Sequence, residues 1–142
     1  RFMFSVILDY PTLEEEIAIV ETTTGAVPPK LNKIISGADI LKYQSVVQLM
    51  PVAKHITEYA VKLVAKTRPG RPGALNWGAG PRASQFLITG AKTYAALQGK
   101  YAPDIEDVKY VAESILRHRI FKNYKAEAEH IQVENLIQEF LK

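Results

Sequence analysis

Gly78-Ala79-Gly80-Pro81-Arg82-Ala83-Ser84 is the stretch on which the reading of the chain turns. Small residues make a loop, a proline ends it, and a long periodic segment follows. Gly80 predicts a backbone freed to turn. Pro81 suits the first helical position, where its missing N–H has no partner to lose. Arg82 then falls in the first turn, beside orphan backbone donors and the positive end of the helix dipole. A cation is electrostatically misplaced there unless an anion joins it. Two readings stand side by side: an ordinary solvated arginine, or a phosphate anchor. Helix N-termini bind phosphate, and the guanidinium grips it with a planar fork.

Composition bounds the rest. A chain of 142 residues suits one domain with one modest core. Hydrophobic residues at 47% and charged residues at 23% are ordinary for a globular protein. No apolar run approaches the roughly 18 to 20 residues needed to span a bilayer. The absence of cysteine excludes disulfides, thiolate metal sites and thiol nucleophiles, and is compatible with the cytoplasm, the expected location. His55, His118 and His130 have no short spacing, so no metal site is expected. The net charge of +3 is spread along the chain without a basic tract, which reads as a solvated surface rather than a nucleic-acid footprint. Because the chain opens on Arg1 rather than Met, a piece of a longer protein is expected.

Outward from the loop, the periodicity is helical. Ala83, Phe86, Leu87, Gly90, Tyr94 and Leu97 mark one face of a helix from Pro81 to about Gln98, closed by Gly99 as a C′ glycine. Gly90 in its interior predicts a close helix crossing. Upstream, Ile56, Tyr59, Ala60, Leu63 and Val64 form an amphipathic stripe over 53–67, and Ile40, Tyr43, Val47 and Met50 form another, ended by Pro51. Arg68 to Trp77 is a loop rich in Pro and Gly, with Arg71 within it and Trp77 expected to pack it onto the bundle. Thr22 to Gly37 is a connector containing Pro28 and Pro29.

Near the start, Thr12 and Glu15 form a capping box for a helix carrying Leu13, Ile17 and Val20. The apolar run Phe2 to Leu8 predicts a buried strand with no second strand to pair with it. Downstream, Asp104 and Asp107 form a second capping box, before a stripe of Ile105, Val108, Ala112, Ile115 and Leu116. That segment runs into Leu116-Arg117-His118-Arg119-Ile120, where a structural role in holding helices together is preferred over contact with a nucleotide. Val133, Leu136, Ile137, Phe140 and Leu141 make the closing helix.

These motifs, in this order, resemble the C-terminal lid domain of the MoxR family of AAA+ ATPases. Gly78, Ala79, Pro81, Arg82 and Ala83 fit its Gly-x-Ser-Pro-Arg-Ala sensor-2 motif, with Gly80 where the family has serine. Arg1-Phe2 is similar to the end of its Leu-Asp-Arg-Phe segment, Ala102-Pro103-Asp104 to its Thr-Pro-Asp-Asp-Val helix start, and Leu116-Arg117-His118-Arg119 to its Leu-Arg-His-Arg pattern.

The resemblance implies an all-α helical bundle of AAA+ lid type with one N-terminal strand left from an upstream ATPase core. Residues 1–10 would end that core and 11–142 would form the lid. It further implies ATP and Mg2+ as ligands of the full-length parent, Arg82 as its sensor-2 residue, Gly80, Pro81 and Arg82 at the nucleotide, and Arg1 as an arginine-finger candidate. The implied partners are the upstream core, neighbouring subunits of a homo-hexamer and a client protein, in chaperone-like remodelling or metalloenzyme maturation. Gly90-Ala91-Lys92-Thr93 is only a fragment of a phosphate loop, and the full Walker pattern is absent. This chain alone is therefore expected neither to bind nor to hydrolyse ATP. The rival reading is a free-standing helical module for protein or DNA. Against a helix-turn-helix at Pro51, the 53–67 helix offers few cations beyond Lys54, Lys62 and Lys66.

Overall fold

A computed structural model describes residues 2–25, 30–69 and 74–142. Arg1, Arg71, Pro28 and Pro29 lie outside the described residues. Seven helices occur in it: α1 (Leu13–Thr23), α2 (Gly37–Leu49), α3 (Lys54–Lys66), α4 (Pro81–Leu97), α5 (Ile105–Leu116), α6 (Tyr124–Ala128) and α7 (Val133–Leu141). A two-stranded antiparallel ribbon, β1 (Leu75–Trp77) with β2 (Phe121–Lys122), ties the loop before α4 to the segment after α5. The expected all-α bundle is borne out.

Local chemistry explains the helix starts. Thr12, Ser36 and Asp104 each cap a helix and each form a complete box, with Glu15, Asp39 and Asp107 respectively. At the end of α4, Gly99 takes φ +74 and Lys100 N–H donates to Ala95 O at 2.9 Å, the Schellman closure that a C′ glycine permits. Lysines satisfy last-turn carbonyls elsewhere: Lys66 Nζ donates to Phe140 O and Lys92 Nζ to Gln48 O.

The core lies among α3, α4, α5 and α7. Leu63 and Val64 on α3, Leu87 on α4, Ile115 and Leu116 on α5, and Ile137 on α7 are all almost fully buried. The expected close crossing at Gly90 is present. A Cβ built there would lie 3.2 Å from Ile115 Cδ1 and 3.3 Å from both Val111 Cγ2 and Met3 Cε, so α4 and α5 approach over a missing side chain.

Four expectations need correcting. Residues 2–10 form no strand: Ser5 N–H donates to Ser114 O, a helix carbonyl, and no parallel or antiparallel ladder engages the segment. An apolar run becomes a strand only beside a partner strand, and the described residues offer none to it. Trp77 does not pack the loop down; it is 67% exposed and pairs in register with Phe121. Leu97, expected on the buried side of α4, is exposed. Finally, α1 and α2 bury no residue within their spans, so the stripes at Leu13, Ile17 and Val20 and at Ile40 and Tyr43 stay open.

The first arginine of the Leu-Arg-His-Arg tract ties segments of the bundle together. Arg117 Nε donates to Glu134 Oε1 at 2.6 Å and Nη2 to Glu113 Oε1 at 2.5 Å, while Nη1 reaches Ser5 O at 3.3 Å. One guanidinium thus joins α5, α7 and the N-terminal segment. The Glu134 carboxyl is held below its ordinary range by its own backbone N–H first and by Arg117 second. A folded-state value below the unfolded one gives stability that is present above the unfolded pKa and lost as pH falls through the lowered value. Glu134→Gln is therefore expected to cost roughly 0.5 to 1 kcal/mol at neutral pH for this half-buried pair. Thermal melts at a series of pH values check it: the gap between Glu134→Gln and the parent should narrow as pH falls below the ordinary glutamate range.

Candidate functional site

The turn that presents Arg82 is fixed from below by Thr67, at the C-terminus of α3. Thr67 is fully buried. Its hydroxyl donates to Val64 O at 2.7 Å and accepts from Ala79 N–H at 2.9 Å, so one side chain closes α3 and pins the loop that opens α4. Gly78 lies against the same helix end. A Cβ built on Gly78 would stand 2.2 Å from Thr67 O and 2.6 Å from Arg68 Cα, so only glycine fits.

Gly80 does not have the conformational role expected of it. It is the N-cap of α4 with φ −86 and ψ 177, extended backbone open to any residue, and a Cβ there would meet nothing within 4 Å. The glycine that the turn requires is Gly78. Pro81 occupies the first helical position as expected, and Ala83 N–H donates back to Gly80 O at 2.9 Å. With glycine as N-cap, no side chain caps this helix.

Arg82 stands on the exposed first turn of α4, and no acid pairs with it among the described residues. One turn on, Phe86 is half-buried, and the Arg119 guanidinium lies over its ring with Cζ 5.0 Å from the centroid. Arg119 Nη2 donates to Phe2 O, and His118 Nε2 lies 3.1 Å from the same oxygen. Since a carbonyl only accepts, His118 carries its proton on Nε2 in that contact. Burial lowers the Arg119 pKa from its ordinary value, and the neighbouring Arg82 charge lowers it further. The sequence-predicted residues Gly80, Pro81 and Arg82 are therefore contiguous on one surface, while Arg1 lies outside the described residues. Thr67, Gly78 and Arg119 complete the arrangement. The Leu-Arg-His-Arg pattern marks Arg119 in the sequence, yet nothing in it shows the contact with Phe86.

This geometry offers a cation projecting from the start of a helix whose donors no side chain caps, on a turn fixed by a buried hydroxyl. It suits an anionic group approaching from solvent. Thr67→Val would leave the buried Ala79 N–H unpaired and is expected to destabilise by about 1 to 3 kcal/mol, with Thr67→Ser recovering most of the loss. Urea denaturation of the three proteins measures it.

Residues 73–140 match the family model described as an AAA lid domain. The chain is 32% identical over 148 residues to the chaperone MoxR1 of Mycobacterium tuberculosis, spanning 99% of this chain and 39% of that protein. It is 30% identical over 142 residues to the uncharacterised protein YeaC of Bacillus subtilis, spanning 99% of this chain and 44% of that one. A crystal structure of a protein assigned as an ATPase from Cytophaga hutchinsonii superposes with a TM-score of 0.89 at 30% identity, over 99% of this chain and 45% of the other. The chain thus spans less than half the length of each of these relatives.

Proposed function

Since this chain carries the AAA lid domain of a MoxR-like ATPase family, we propose that it closes over ATP held by a P-loop domain of its parent protein, with Arg82 as the sensor-2 residue. The observation that carries the reading is the placement of Arg82: exposed, without an acid partner among the described residues, at the start of an uncapped helix whose loop is fixed by Thr67. Those residues fit a terminal phosphate. The guanidinium supplies a forked, permanently charged donor, and the first-turn amides and dipole of α4 add to the field.

On this reading ATP is the substrate, and Mg2+ and the Walker residues belong to the parent's core. Charge placed at a transferring phosphoryl group is felt most strongly in the transition state, where negative charge spreads over its oxygens. Arg82 would thereby raise turnover and report whether the γ-phosphate is present. Lid movement on hydrolysis would pass to a client in chaperone-like remodelling or metalloenzyme maturation, within a homo-hexamer in which Arg1 acts as the arginine finger toward a neighbouring subunit.

The test is steady-state ATPase activity of the full-length parent beside its thermal melt. Arg82→Ala should leave the melt unchanged, because an exposed first-turn side chain contributes nothing to the core. Turnover should fall by roughly 10² or more, short of the 10³ to 10⁵ of an arginine finger supplied in trans. Arg82→Lys should recover part of the loss, since a point charge lacks the bidentate fork. Lys62→Ala, an exposed cation on α3, is the control. Wild-type turnover in Arg82→Ala with an unchanged melt would overturn the assignment.

A further inference from the structure

Arg117 and Arg119 are two residues apart and are used differently. Arg117 is neutralised by Glu113 and Glu134 and belongs to the joint between α5 and α7. Arg119 has no acid partner among the described residues, and its Nε is buried without a hydrogen bond. Its guanidinium spans from Phe2 O to the face of Phe86. Phe86 sits one helical turn beyond Arg82, on the same face of α4. Phe2 begins the described N-terminal segment, whose Met3 side chain fits against Gly90 farther along the same helix.

We propose that Arg119 is a positioning residue for Arg82: a strut between the Phe2 carbonyl and the Phe86 ring that fixes the first turn of α4 relative to the segment entering the bundle. The proposal rests on the reading of Arg82 as the arginine that meets the γ-phosphate. A strut of this kind needs a flat cation that stacks on a ring through its face while donating a hydrogen bond at its edge, which guanidinium does and ammonium does not. Arg117 already anchors the N-terminal segment through Ser5 O, so the connection to α4 is the contribution specific to Arg119.

The experiment measures kcat, KM and thermal melts of the full-length ATPase carrying Arg119→Ala, Arg119→Lys, Arg82→Ala, and Arg82→Ala with Arg119→Ala together. Misplacing a catalytic group by about an ångström costs up to roughly 10²-fold, so Arg119→Ala should lower kcat by about tenfold or more while KM stays within about twofold. Arg119→Lys should recover little of it. The double variant should be no slower than Arg82→Ala alone, because a strut has nothing left to position once Arg82 is gone. A kcat for Arg119→Ala within about twofold of wild type, or losses that multiply in the double variant, would overturn the proposal. If Arg119→Ala fails to fold, Phe86→Leu removes the stacking face at similar apolar volume and is judged by the same criteria, alone and with Arg82→Ala. Wild-type turnover in Arg82→Ala is a separate result: it removes the underlying reading, whereas a slow Arg82→Ala with an unaffected Arg119→Ala removes only the strut.

Discussion

The arrangement depends on the buried hydroxyl of Thr67. A helix C-terminus and a loop N–H both need partners inside the protein, where an unmade hydrogen bond is costly. Thr67 satisfies both with one oxygen, donating to Val64 O and accepting from Ala79 N–H. The backbone of Gly78 then has to pass so close to Thr67 that a Cβ is forbidden. Those two constraints fix where α4 begins and in what direction its first turn points. The exposed first turn that carries Arg82 starts from this point.

Charge is distributed to match. The Glu113–Arg117–Glu134 cluster is shielded and self-compensating, and it serves packing. Lys100 likewise sits between Asp104 and Asp107, whose carboxylates hold its pKa above the ordinary value. Around Phe86 the pattern reverses: two arginines approach each other and no acid intervenes among the described residues. A fold that neutralises its helix joints yet leaves like charges together at one helix start tolerates a local penalty there. On the proposed sensor-2 role of Arg82, that penalty belongs to a preorganised cation whose partner arrives with the substrate.

Helix existence was legible in the sequence, and so was much of the turn. Capping boxes at Thr12 and Asp104, the C′ role of Gly99 and the close approach at Gly90 all rest on local rules: a side chain within three residues, a positive φ, a missing Cβ. The Ser36–Asp39 box was equally readable by the same rule. What escaped was non-local. The ribbon between β1 and β2 joins residues more than 40 positions apart in two short segments, too brief for any alternation to show. The glycine assignment failed for a related reason: Gly78 and Gly80 are indistinguishable as letters, and only the position of Thr67 O decides which is obligatory. Arg82 could be placed at its turn from Pro81 alone, whereas Arg119 comes to lie over Phe86 only through the packing of distant segments.

The strand expected over residues 2–8 and the stripes of α1 and α2 share a lesson about apolar patterns. Periodicity records which face of an element is apolar; it does not specify the surface that covers it. The stripes of α3 and α7 are covered because α4 and α5 lie against them. Leu13, Ile17 and Val20 repeat at a similar spacing on α1 and remain half open or more, while Ile34, Ile35, Ile40 and Leu41 add further exposed apolar surface. Scattered exposed apolar residues are ordinary, but contiguous sets on consecutive elements are not. The backbone of residues 2–5 points the same way, being held by Arg117, His118, Arg119 and the Ser114 carbonyl rather than by a neighbouring strand. Three side chains that donate to main-chain carbonyls grip a segment without regard to its side chains. That leaves Phe2, Val6, Ile7 and Leu8 free to face another surface while the bundle keeps hold of the backbone.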